Sequence, residues 1–162
     1  MSERIPNLAA VVLRDPVHIL AFGFGSGLAP VAPGTFGTLI ALPLFWLTRD
    51  LGVALQLGIA LVATVAGIWL CGESSRRLGV HDHGGIVWDE IVAMYLVLIV
   101  APLTVAGWVA AFALFRAFDI VKPWPIRDLD HRLGGGLGIM LDDLVAALYA
   151  AVLLGSYRWL MT

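Results

Sequence analysis

Charge is what this sequence has least of. Asp, Glu, Lys and Arg make up 14% of its 162 residues, against roughly 25% in an ordinary soluble domain. Apolar residues make up 60%, and the mean hydropathy is +0.91. So few polar groups cannot cover a water-exposed surface, and an integral membrane protein is expected. The net charge of −2 offers no concentrated basic face and argues against nucleic acid as a partner. A single cysteine, Cys71, allows neither an internal disulfide nor a Cys-rich metal site. There is no alternating strand pattern, no repeat and no Walker G-K-[ST] loop. The first thirty residues also lack a signal peptide, because Arg14, Asp15 and Pro16 interrupt their apolar run. They are expected to be retained, with Pro16 to Phe24 lying as a short helix at the membrane surface.

Four apolar blocks are present: 38–47, 51–71, 91–115 and 144–161. A bilayer core takes about 20 helical residues, since each rises about 1.5 Å. The second block suffices alone, the fourth nearly does, and the first must borrow from its flanks. The third is interrupted by Pro102. It reads either as one kinked span or as two short helices turning at "APLT". Charge falls between the blocks, mainly at 72–90 and 116–143. A turn at 101–104 would return both charged stretches to one membrane face, and charges in an apolar protein are costly unless they pair or bind something. The expected fold is therefore all-α: a membrane-embedded bundle of helical hairpins with its polar motifs at one end. The Lys and Arg excess there places that end in the cytoplasm. One domain over 1–162 is expected, with an interfacial segment 1–24 and a bundle 25–162.

Four stretches carry chemistry. In "WDE", Asp89 and Glu90 open an apolar helix. Helix capping explains one acid better than two. In "RAFDIVKP", Arg116, Asp119 and Lys122 share a helical face that stops at Pro123-Trp124-Pro125. A C-terminal ion-pair ladder accounts for the cations but less well for Asp119. In "GGGLGIMLDDLVAAL", Asp142 and Asp143 are expected to head the last apolar helix. Carboxylates crowded at one end repel one another without a cation, and Mg²⁺ commonly bridges such groups to a phosphate. In "GFGSGLAPVAPGTFGTL", a glycine-rich loop is followed by Thr35 and Thr38 at a helix start. Exposed N–H groups and the helix dipole there favour an anion, although such a pattern is more often only a loop. The "HDHGG" pair, His81 and His83, is not diagnostic of a metal. Carboxylates for a cation, cations for an anion and a phosphate-holding loop together suit phosphoryl chemistry on a lipid headgroup.

These motifs, "GFGSGLAPVAPGTFGTL", "HDHGGIVWDEIVAMY", "FRAFDIVKPWPIRDLD" and "GGGLGIMLDDLVA", occur in an order that resembles the phosphatidylglycerophosphatase A family over roughly 17–155. The resemblance implies a Mg²⁺-dependent phosphatase of the bacterial inner membrane that converts phosphatidylglycerophosphate to phosphatidylglycerol. Asp89, Glu90, Asp119, Asp142 and Asp143 would then include the metal ligands, with Asp89, Glu90, Asp119 and Asp143 also catalytic. Arg116 and Lys122 would neutralise the phosphate, and Gly34, Thr35 and Thr38 would hold its oxygens. Attack by water and an aspartyl-phosphate intermediate both stay open. The rival readings are a non-catalytic membrane protein that binds anionic headgroups or a cation, a small transporter, and a phosphoalcohol transferase.

Overall fold

A computed structural model describes residues 7–80, 83–124, 126 and 134–160. Helices α1 (Leu8–Arg14) and α2 (Pro16–Ala21) lead into a short 3-10 segment, Gly23–Leu28. There follow α3 (Pro33–Thr48), α4 (Val53–Leu78), α5 (Trp88–Val100), α6 (Val105–Val121) and α7 (Gly135–Leu160). Among the described residues there is no strand.

The middle of the fold is α5. Its sequence "WDEIVAMYLVLIV" is apolar nearly all round after the first turn, and such a helix is stable only where every face is covered. Ala93, Met94, Val97 and Leu98 are fully buried, and α3, α4, α6 and α7 all contact it. Pro102 lies in the break between α5 and α6, and the Thr104 hydroxyl accepts from Gly107 N–H at 3.0 Å to start α6. Residues 91–115 are therefore not one continuous helix. Glu90, near the start of α5, comes within 3.8 Å of Arg116, near the end of α6.

Two helices, Val53–Leu78 and Gly135–Tyr157, are long and apolar enough to cross a membrane. The first is only 22% buried within the fold. Its outward face shows Leu61, Val62, Val65 and Trp69, an apolar surface far larger than water tolerates and suited to lipid. The expected block 51–71 stops short of the helix end, for α4 continues to Leu78 and takes Glu73, Arg76 and Arg77 with it. Those charges are compatible with helix because they pair along it: Glu73 accepts from Arg76 and from Arg77, each at 2.7 Å. Arg77 also reaches Asp15, the N-cap of α2, at 2.5 Å. On the same contact, His18 and Ser74 meet at 2.8 Å, both buried.

The last helix also begins earlier than its apolar block suggests. Glycines are poor helix formers, yet α7 starts at Gly135. The reason is tertiary. Gly136 lies so close to α4 that a Cβ there would run into the Ile68 carbonyl and meet Gly72 N at 2.7 Å. Two backbones can approach this far only across such residues. Asp142 and Asp143 consequently sit about two turns inside α7 rather than at its head.

Candidate active site

The first turn of α5 is fixed from two sides. Val87 N–H donates to Ala21 O at 2.9 Å, and Trp88 Nε1 donates to Ala63 O at 3.0 Å. So held, Asp89 and Glu90 turn inward to face Asp143 of α7. Ligand atoms of these three carboxylates lie within 4.8 Å of one another. Each keeps one buried oxygen with no hydrogen-bond partner: Asp89 Oδ1, Glu90 Oε2 and Asp143 Oδ2. An unpaired carboxylate oxygen buried in protein is costly. Three of them converging is the donor set of a hard divalent cation, so the residues fit a metal ion.

A cationic flank adjoins them. Arg116 forms an ion pair with Asp119 one turn along α6, and its Nη1 is 3.8 Å from Glu90 Oε1. Its Nε is buried without a partner. Asp119 is also close enough to Asp143 and Glu90 to interact with both electrostatically. The start of α3 presses against this group. A Cβ on Gly34 would run into Glu90 Oε1 and come 3.2 Å from Arg116 Nη1. Only glycine lets the first turn of α3 approach so closely.

The remaining expected site residues are placed less uniformly. Thr35, in that same first turn, is part-exposed, with its N–H bonded to Ala32 O at 2.9 Å. Thr38 is buried, and its hydroxyl donates to Gly34 O at 2.8 Å, so it is occupied by its own helix. Lys122 is not a further rung of the α6 face. It caps that helix in the left-handed region (φ 45°), and its Nζ reaches Asp142 Oδ2 at 2.7 Å. Asp142 Oδ1 accepts from Asp143 N–H at 3.0 Å. Of five candidate acids, then, three converge, Asp119 pairs with Arg116, and Asp142 turns to Lys122. His83 is apart from them: its Nδ1 accepts from Gly85 N–H at 3.0 Å, and its ring lies against Phe22. His81, Arg127, Asp128, Asp130, His131 and Arg132 fall outside the described residues. Trp88, which anchors the acidic turn, was missed by sequence reasoning; its only signal is a tryptophan directly before "DE".

Similarity to known proteins gives this cluster its context. A family model for phosphatidylglycerophosphatase A matches residues 19–157. The chain belongs to that family. The phosphatidylglycerophosphatase A match begins inside α2 and takes in every carboxylate and cation of the site. Among curated relatives, phosphatidylglycerophosphatase A of Escherichia coli is 45% identical over 143 residues, 88% of this chain and 83% of that protein. Phosphatidylglycerophosphatase A of Haemophilus influenzae is 45% identical over 163 residues, 99% of each chain. A Bacteroides thetaiotaomicron protein whose name refers to a phosphatidylinositol-3-phosphatase activity is 38% identical, over 88% of this chain and 94% of its own length. No solved structure matches the chain.

Proposed function

We propose that this chain is a Mg²⁺-dependent phosphatidylglycerophosphatase, which removes the terminal phosphate of phosphatidylglycerophosphate to leave phosphatidylglycerol, in phospholipid synthesis. The observation that carries the reading is the convergence of Asp89, Glu90 and Asp143, each with an orphaned buried oxygen, beside Arg116, in a member of this family. We place the protein in the bacterial inner membrane as a single domain, with residues 1–24 at the interface and 25–162 as a bundle of helical hairpins whose acidic end faces the cytoplasm. Support for that placement comes from the exposed apolar face of α4 and from the Glu90–Arg116 approach across α5 and α6.

Asp89, Glu90 and Asp143 would hold the cation, with Asp119 beside them. When bound, the cation would offset the negative charge of the phosphoryl group and polarise its P–O bonds. Arg116 offers a planar guanidinium to two phosphate oxygens, and its unpartnered Nε is a donor already desolvated for the purpose. Lys122, held by Asp142 next to Asp143, supplies a second positive charge. The start of α3, brought in by Gly34, adds the positive end of its helix dipole. Asp119, oriented by Arg116, accepts the proton of the attacking water as the bond from phosphorus to the glycerol oxygen breaks, and that oxygen leaves as a hydroxyl with a proton from solvent.

The test is phosphate release by the purified full chain from phosphatidylglycerophosphate in detergent, first with Mg²⁺ and then with EDTA. Release that needs Mg²⁺ and stops with EDTA is expected. Release indifferent to EDTA would remove the metal from the reading. A folded preparation that releases nothing would favour a membrane protein that binds an anionic headgroup or a cation without chemistry.

A further inference from the structure

A second feature lies on another face of α5. A slot of 290 Å³ runs along Trp88, Ile91, Val92 and Tyr95, with Leu47 of α3 and Ile59 and Ala63 of α4 in its walls. The spacing of the four α5 residues makes one helical stripe, about 10 Å from end to end.

The polar atoms in these walls are already bonded within the protein. Trp88 Nε1 donates to Ala63 O, and the Thr48 hydroxyl lies 2.8 Å from Tyr95 OH and 3.2 Å from Phe45 O. Nothing in the slot calls for a polar ligand, so it suits hydrocarbon. The direction of the opening identifies the source. Around Val87, just before α5, the packing leaves no room: a Cβ on Gly37 would meet Val87 Cβ at 2.5 Å, and one on Gly23 would meet the Val87 and Ile91 side chains at 2.8 and 2.9 Å. Outward the slot is bounded by Leu47, 80% exposed, on a helix bundle whose α4 also shows a bare apolar face at Leu61 and Val62. At the Trp88 end, the exposed Phe24 lies 6.4 Å from the Trp88 ring. A tryptophan here suits the level of a membrane interface.

We propose that this slot seats one acyl chain of a bilayer phospholipid, entering from the side of the membrane rather than from the substrate site. The probe is phosphatidylcholine carrying a diazirine in its acyl chain, added to nanodiscs of phosphatidylethanolamine that hold the full chain. After irradiation the cross-linked residues are mapped by mass spectrometry. Lipid moving over the surface reaches the exposed Val62 and Val65, but not Ile91 and Val92, which are each 3% exposed on the slot floor. Cross-links at Ile91 and Val92 are therefore the expected result. Ala63→Phe, which fills the slot from the α4 wall, should abolish them and leave those at Val62 and Val65. Should that variant not fold, Ile59→Trp fills the slot from its rim. Cross-links confined to Val62 and Val65 in the unmodified chain would overturn the proposal. So would labelling of Ile91 and Val92 that persists in the filled slot. Neither result depends on whether the protein releases phosphate.

Discussion

Two groups of charged side chains share this fold and are built in opposite ways. Where α2 meets the end of α4, Glu73 accepts from Arg76 and Arg77, Arg77 also reaches Asp15, and the Asp15 carboxylate accepts from Val17 N–H at 2.9 Å. The arginines are well exposed, and every acid has its partners. Where α5 meets α6 and α7, the charged groups are sunk between helices, and Asp89, Glu90, Asp143 and Arg116 each keep a buried atom that nothing in the protein satisfies. Residue types are nearly the same in both groups. The difference lies in what has been left undone. A satisfied group needs nothing further and fastens one helix to another. An unsatisfied one, maintained at a cost to the fold, is waiting for a ligand.

The sharpest way to break this contrast is to neutralise the converging acids. Asp89→Asn, Asp143→Asn and Asp119→Asn should each lower phosphate release by roughly 10²–10³-fold, the scale of losing one preorganised electrostatic group. Asp89→Asn and Asp143→Asn should stay folded in detergent, melting at or above the parent temperature in the absence of metal, because each removes an unpaired buried charge, whereas Asp119→Asn takes the ion-pair partner from Arg116 and should melt lower. Loss of folding in all three would make the cluster structural after all. Next in size is the response to the ion itself. Mg²⁺ should raise the melting temperature of the parent chain by mass action and fail to do so for Asp89→Asn and Asp143→Asn. An equal rise in every variant would place the cation elsewhere.

How far such experiments could have been designed from sequence alone differs from residue to residue. Asp89 and Glu90 were readable because two adjacent acids opening an apolar helix exceed what capping needs. Asp142 and Asp143 were readable as a pair but not as individuals. Their different partners depend on where α7 begins, and that is decided by Gly136 against α4, a tertiary contact that overrides glycine's weak helix propensity. Lys122 was expected on the α6 face, yet its left-handed backbone turns it across to Asp142. The tie between α2 and α4 was hidden altogether, since Asp15 and Arg77 are 62 residues apart and no local pattern joins them. Composition told of the membrane and spacing told of the motifs. Which acid faces which partner came only with packing.

Gly34→Ala is a milder way to sharpen the contrast. The added Cβ must push Glu90 or Arg116 aside, so phosphate release should fall while the melting temperature changes little. If both stay at parent levels, the start of α3 is not part of the site. At the other group the expected effects are smallest. Arg77→Gln should leave phosphate release unchanged, because well-exposed ion pairs contribute little. Loss of activity there would merge the two groups into one.

The same corner should also respond to acid. Burial is the main cause that holds the His18 imidazole below its ordinary value, and the nearby Arg77 charge adds to this, while Asp15 and Glu73 oppose it. For Asp15, burial works against the charged form, but the Val17 N–H and the Arg77 guanidinium outweigh it and keep the carboxyl below its usual range. In both cases the unfolded chain binds protons more readily than the folded one. Their contribution to stability is therefore full at neutral pH. His18 begins to lose its share as pH falls through about 6.5, the ordinary histidine value. Asp15 loses its share only in stronger acid. Amide exchange should show α2 loosening from α4 on mild acidification before the rest of the fold changes. A uniform response along the chain would refute that order.

The break at 101–104 has a consequence for the surroundings of the protein. With 13 residues, α5 rises only about 20 Å, while the 26 residues of α4 reach about 39 Å. A hydrocarbon layer of about 30 Å that suits the second is too thick for the first. Lipids beside α4 can stay at their resting thickness, whereas those beside α6, the exposed member of the short pair, whose 17 residues rise only about 26 Å, must compress to meet it. The protein would then deform its host bilayer on one flank only and drift toward thinner regions of membrane.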